Sequence, residues 1–134
     1  MTWDTEALHA AMPFTAVLGA SVVDVAPTEV RLRLAWTAEL CTAGGMLHGG
    51  ALMGLADAAG GLCAFLNLPE GATGTATISS ATNFLRGVRA AHVEAVARPL
   101  QVGRTVIVVE TELHDADGRA VAKVTQTQAV LQRP

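Results

Sequence analysis

The sequence predicts an α+β domain in which a curved antiparallel sheet of about six strands wraps around one long central helix, about residues 49–66. Two observations lead there. The stretch 49–66 is apolar on nearly every side, which suits a helix that other elements enclose. Around it lie six shorter runs that are rich in β-branched residues or alternate between apolar and polar positions, separated by Gly, Pro and Asp turn signals. A sheet curved over one helix buries both with the fewest elements. A length of 134 residues suits one domain, 1–134.

Taken in order, residues 4–12 read as a short opening helix, with Asp4 or Thr5 as cap and Pro13 as its stop. Residues 20–26 form a β-rich run, and Pro27-Thr28 a turn. EVRLRLAW then alternates, with Val30, Leu32, Leu34 and Trp36 on one face and Arg31 and Arg33 on the other, so these two runs pair as a hairpin. Residues 40–48 are an irregular loop before the helix, and Pro69-Glu70-Gly71 follows its end. Strands are expected at 75–85, 92–100, 105–114 and 120–131. Turns at Arg86-Gly87, 101–103 and Asp117-Gly118 suggest that they succeed one another as an antiparallel meander.

Composition narrows the function classes. The formal net charge of −3 argues against a general nucleic-acid binder. Two cysteines are too few for a disulfide scaffold, and no signal peptide is recognisable, so a cytoplasmic protein is expected. The apolar stretch 51–66 reads as too short to span a bilayer and carries an acid at its middle, so no membrane association is expected. The four histidines show no metal-ligand spacing, and no metal is expected.

That acid, Asp57, is the only formally charged side chain between Glu39 and Glu70. A carboxylate in apolar surroundings is costly unless it is paired or has a task. At 100° per residue, Gly50, Met53, Gly54, Gly60 and Gly61 share its face, while Leu52, Leu55, Ala59, Leu62 and Leu66 lie opposite. Glycines inside a helix cost roughly 1 kcal/mol each relative to Ala, so the stripe needs a reason. Close approach of another backbone or a thin ligand is one, which makes Gly50, Met53 and Gly54 candidate substrate-binding positions. A purely structural reading stays open, in which small residues pack against a neighbour and Asp57 caps a backbone amide. His48-Gly49-Gly50 places backbone N–H groups at the helix start, where they can hold an oxyanion or a phosphate; His48 could equally be a loop histidine bonded to backbone. Nine residues of helix rise about 13–14 Å. If both groups act on one substrate, two chains must contribute, as in a two-fold homodimer with paired helices.

The run HGGALMGLADAAGG resembles the signature of hotdog-fold acyl-CoA thioesterases, in particular the phenylacetate-pathway thioesterase-like group (4-hydroxybenzoyl-CoA thioesterase superfamily). TNFLRGV, residues 82–88, resembles that family's strand motif after the helix, and the order of elements matches over most of the chain. The resemblance implies a hotdog fold and hydrolysis of an acyl-CoA thioester. It implies that the Gly49 amide polarises the carbonyl and that Asp57 of the facing subunit acts as general base or nucleophile. Thr77 would help hold the attacking water, and His48 would orient the loop and substrate. Six residues before the His, relatives often carry an Asn; here Thr42 stands there, with a shorter donor. Coenzyme A would enter as part of the substrate, with no separate cofactor. Its phosphates call for basic residues at the pocket mouth, and Arg86, Arg89 and Arg104 lie at strand ends and turns. The implied assembly is a homodimer or a dimer of dimers.

Three other readings share parts of the pattern. Cys41 with His48 lacks a third, orienting group, and Cys63 reads as packing. A hotdog-fold enoyl-CoA hydratase or dehydratase would keep the acid and leave the thioester intact. A non-catalytic acyl-CoA-binding protein would bind without turnover; the sequence has no appended DNA-binding region to suggest a regulator.

Overall fold

A computed structural model describes residues 2–133. The chain runs α1 (Thr5–Ala11), α2 (Pro13–Leu18), β1 (Ser21–Ala26), β2 (Glu29–Ala35), α3 (Gly49–Leu66), β3 (Ala72–Phe84), β4 (His92–Val102), β5 (Val106–Asp115) and β6 (Ala120–Gln132). The six strands form one antiparallel sheet in the order β1-β2-β4-β5-β6-β3. Helix α3 lies on its inner face and touches β2 to β6. The expected α+β hotdog architecture is present.

The core is aliphatic. Val30, Leu32 and Leu34 of β2 are fully buried, as their alternation requires, and meet Leu55, Ala59 and Leu62 of α3 together with Val93, Ile107 and Leu113. Arg31 and Arg33 point outward and pair with Glu94 of β4. At 18 residues, α3 is long and apolar enough to cross a membrane by length and composition alone. The expectation that the stretch falls short in length is therefore corrected. What marks it as a core helix is that 56% of it is buried inside the fold.

Two expectations about element order also change. Pro13 does not stop the helical segment; it opens α2 at the first helical position, where its missing N–H is no loss, and Gly19 ends α2 in the left-handed conformation, φ 80°. The four later strands are not a simple meander. β4, β5 and β6 are, but β3 lies beyond β6 at the sheet edge. Residues 85–91 must therefore cross three inter-strand gaps, about 14 Å, which seven extended residues reach easily. They are pinned on the way: the N–H groups of Leu85 and Arg86 both donate to Val121 O, Leu47 N–H donates to Val88 O, and Trp36 N–H to Ala91 O.

The placement of β3 leaves a 13-residue edge strand, ATGTATISSATNF, with no charge and no proline. Ile78 is 61% exposed on it. Edge strands that stay unpaired are usually short, charged or interrupted; this one has register shifts between Ala72 and Gly74 and between Thr77 and Ser79.

Candidate active site

The loop before α3 is more ordered than its sequence suggests. Gly44 and Gly45 turn it at φ 83° and 75°, and an isolated bridge joins Cys41 to Leu47. Thr42 N–H donates to Met46 O at 2.8 Å, and His48 N–H donates to Leu40 O at 2.8 Å. His48 is thereby set as the N-cap of α3 in extended backbone, φ −62° and ψ 136°. Its Nδ1 accepts from Gly50 N–H at 2.8 Å, and its carbonyl accepts from Ala51 and Leu52. The expectation of several free amides here is corrected to one. Among the described residues only Gly49, of the first four helical positions, has an N–H without an acceptor. The backbone-bonded reading of His48 holds; an Nδ1 that accepts leaves Nε2 to carry the proton of the neutral ring.

Asp57 stands two turns further on, on the open side of α3. The residue is exposed in the single chain, which corrects the expectation of wholly apolar surroundings. Protein atoms nevertheless crowd its carboxyl, and this partial burial raises its pKa above the ordinary aspartate value. Among the described residues its carboxyl takes one hydrogen bond, from Gln126 Nε2 to Oδ1 at 3.3 Å. It borders a cavity of about 340 Å³, whose other lining includes Trp3, Met12, Phe65, Thr77 and Gln128. Thr77 Oγ1 accepts from Gln128 Nε2 at 2.8 Å.

Gly49 and Thr42 line a different cavity, of about 430 Å³, beside Phe84 and Arg86. The structure therefore joins Asp57 to Thr77, and Gly49 to Thr42 and Arg86, but does not bring the two groups together in one chain. Arg86 and Arg89 border a neighbouring hollow that also holds Arg119, and Arg89 Nη1 donates to Gly44 O at 2.8 Å. Arg104 is separate, in the turn beyond the far end of the 11-residue β4, roughly 30 Å along the strand.

The glycine stripe has mostly internal explanations. A Cβ on Gly49 would lie 3.1 Å from Phe84, one on Gly50 2.9 Å from His48 Nδ1, and one on Gly54 3.0 Å from Phe14 of α2. Gly60 is not on the open face: its Cβ would lie 1.9 Å from Gln126 Oε1. Only Gly61 faces open space, and Met53 is exposed on the same side as Asp57. Gln126 and Gln128 were missed as site residues, although they are the polar groups that touch Asp57 and Thr77. The cysteines are free thiols without a catalytic setting. Cys41 donates to Thr37 O, and burial pushes the Cys63 thiol up to about 11. No cluster of three metal-binding side chains occurs among the described residues.

Residues 44–122, more than half of the chain, match the Thioesterase superfamily. This chain belongs to that superfamily. A solved variant of a thioesterase from Pseudomonas aeruginosa superposes with a TM-score of 0.88 at 28% identity, covering 98% of this chain and 96% of that one. By sequence, the P. aeruginosa protein is 34% identical over 87 residues, a match that spans 65% of this chain and 60% of that protein. The 1,4-dihydroxy-2-naphthoyl-CoA hydrolase of Escherichia coli is 32% identical over 87 residues, 65% of this chain and 63% of that protein. The PaaI protein from the E. coli phenylacetic acid degradation operon shares the fold, with a TM-score of 0.85 at 20% identity over 94% of this chain and 89% of that one. The expected enzyme class, a thioester hydrolase, is met at the level of the superfamily, while the finer likeness to the phenylacetate group extends to fold alone.

The raised pKa of Asp57 has a stability consequence. An acid whose folded pKa lies above its unfolded one destabilises the fold as pH rises through that interval, and the loss then stays constant. Asp57→Asn is therefore expected to raise the melting temperature at neutral pH, with the difference shrinking as pH falls below the ordinary aspartate range. Thermal unfolding of both proteins across that range checks it; a difference independent of pH would rule out desolvation as the cause.

Proposed function

We propose that two copies of this chain form the working enzyme, which hydrolyses an acyl-CoA thioester with Asp57 of one copy and the Gly49 amide of the other. The observation that carries this reading is the free Gly49 N–H on a helix whose acid stands about 12 Å away in the same chain. No single carbonyl carbon can meet both. Edge pairing of β3 with a second β3 would cover the uncharged strand and turn the Asp57–Thr77 side of one copy toward the Gly49–Thr42 side of the other.

In the joined site the thioester oxygen lies against Gly49 N–H at the positive end of α3. A water held by Thr77 gives a proton to Asp57 as its oxygen bonds to the carbonyl carbon. The oxyanion then collapses, the C–S bond breaks, and the CoA thiolate leaves to be protonated. A raised carboxylate pKa makes Asp57 a better base. The apolar walls of its cavity, Trp3, Met12 and Phe65, suit the acyl group; the E. coli relative's naphthoyl substrate is of that chemical kind. Arg86, which borders the Gly49 cavity, and Arg89 suit the phosphates, while Arg104 is too far along β4 to join them in one copy. The 1–134 unit would act as one domain on a cytoplasmic substrate.

Two outcomes are expected. Asp57→Ala should lower kcat for thiol release from acyl-CoA esters by about 10²-fold or more while the protein stays folded. Activity near wild type would remove Asp57 from the mechanism, and formation of 3-hydroxyacyl-CoA without thiol release would replace hydrolysis by hydration. Thr42→Asn should leave turnover unchanged or improve it, because the longer amide reaches further toward the carbonyl; a collapse would give the threonine hydroxyl a specific role.

A further inference from the structure

Two glutamines lie where the sheet would ordinarily place aliphatic side chains. Gln126 and Gln128 of β6 are 0% and 1% exposed, in phase with buried Val124 and Val130, beneath α3. Buried amides are costly unless their hydrogen bonds are made, and these two make theirs to the groups assigned to catalysis. The backbone of α3 yields space for them at Gly60, where any Cβ would collide with Gln126 Oε1. We propose that Gln126 and Gln128 are positioning residues for the hydrolysis, a buried amide relay that fixes which oxygen of Asp57 is free and aims the Thr77 hydroxyl proton at the attacking water. This rests on the reading of Asp57 as the base.

The direction of every bond follows from the acid. Ionised Asp57 only accepts, so the end of Gln126 that meets Oδ1, at 3.3 Å, is the Nε2–H₂ group. Gln126 Oε1 then faces Gln128, whose Nε2 lies 3.5 Å away and also donates to Thr77 Oγ1 at 2.8 Å. An amide nitrogen cannot accept, so Thr77 accepts there and its own proton turns elsewhere, into the cavity it shares with Asp57. A water in that cavity accepts from Thr77 and donates to the free Oδ2, which leaves a lone pair for the carbonyl carbon. As its O–C bond forms, one proton passes from water to Asp57.

Among the described residues no other titratable group borders the acid: the cavity is completed by Trp3 ahead of α1, Ala11 and Met12 at the end of α1, Gly61, Leu62 and Phe65 from α3, and Thr75 from β3. In the paired site a second copy would add its His48.

The test measures thiol release from an acyl-CoA ester against pH for the purified dimer carrying Gln126→Met, Gln128→Met or the isosteric Gln126→Glu, with Asp57→Ala alongside. Both Met variants should lose about tenfold or more in kcat with KM within about twofold, because the acid and hydroxyl are bound but misaimed. Gln126→Met, which strips a donor from the carboxylate, should move the acid limb of kcat upward by about half a unit, and Gln126→Glu further still; Gln128→Met should not move it. Wild-type kcat and an unmoved acid limb in the Gln126 variants, with Asp57→Ala inactive, would overturn the relay and leave the base assignment standing. Turnover by Asp57→Ala would overturn both. Loss of kcat in step with loss of folded protein in all three glutamine variants would reduce the pair to a structural role.

Discussion

The rise of α3 is the constraint on which the site depends. From Gly49 to Leu66 the helix is unbroken, so the donor at its first position and the acid at its ninth are held about 12 Å apart by backbone hydrogen bonds that no side-chain motion shortens. The sheet holds the helix as firmly, with Leu55, Ala59 and Leu62 buried against β-strand side chains on the inner face. Two half-sites on opposite stretches of one rigid rod make sense when a second copy supplies the missing half. In the proposed dimer the uncharged β3 edge would give that copy a place to join.

The surroundings of Asp57 show how the same helix is adapted locally. Its open face carries small residues, but most of their space is taken by the chain's own side chains: Phe84 over Gly49, His48 over Gly50 and Phe14 over Gly54. These contacts shape the helix start and leave one amide unengaged. Gly60 serves a different end, admitting a buried glutamine that touches the acid. A carboxyl crowded enough to have a raised pKa, yet bonded on one oxygen only, is suited to take a proton rather than to hold the fold together.

Much of this was legible in the residues. The alternation of β2 and the unbroken apolar run of α3 placed the core correctly, and the lone charge at Asp57 pointed to the candidate site proposed above. What escaped did so for physical reasons. Pro13 reads as a stop or as a first helical residue, and only the next turn decides which. The position of β3 depends on a seven-residue crossover pinned by Val121, Leu47 and Trp36, contacts invisible in local pattern. Gln126 and Gln128 alternate with threonines and so resemble a solvent face; the phase of Val124 and Val130 was the signal that they point inward. The engagement of the Gly50 amide by His48 depended on a cap geometry that spacing alone does not give.

Subunit complementation tests the shared site most directly. Gly49→Pro removes the free N–H at a first helical position that accepts proline after a residue already in extended backbone, and its Cβ, 3.1 Å from Phe84, requires that ring to give by a few tenths of an ångström. Mixed with an equal amount of Asp57→Ala protein and allowed to exchange subunits, each inactive alone, it should restore about one quarter of wild-type activity, since half of randomly formed dimers are mixed and each holds one intact site. No recovery, with mixed dimers demonstrably formed, would contradict a site built from two chains.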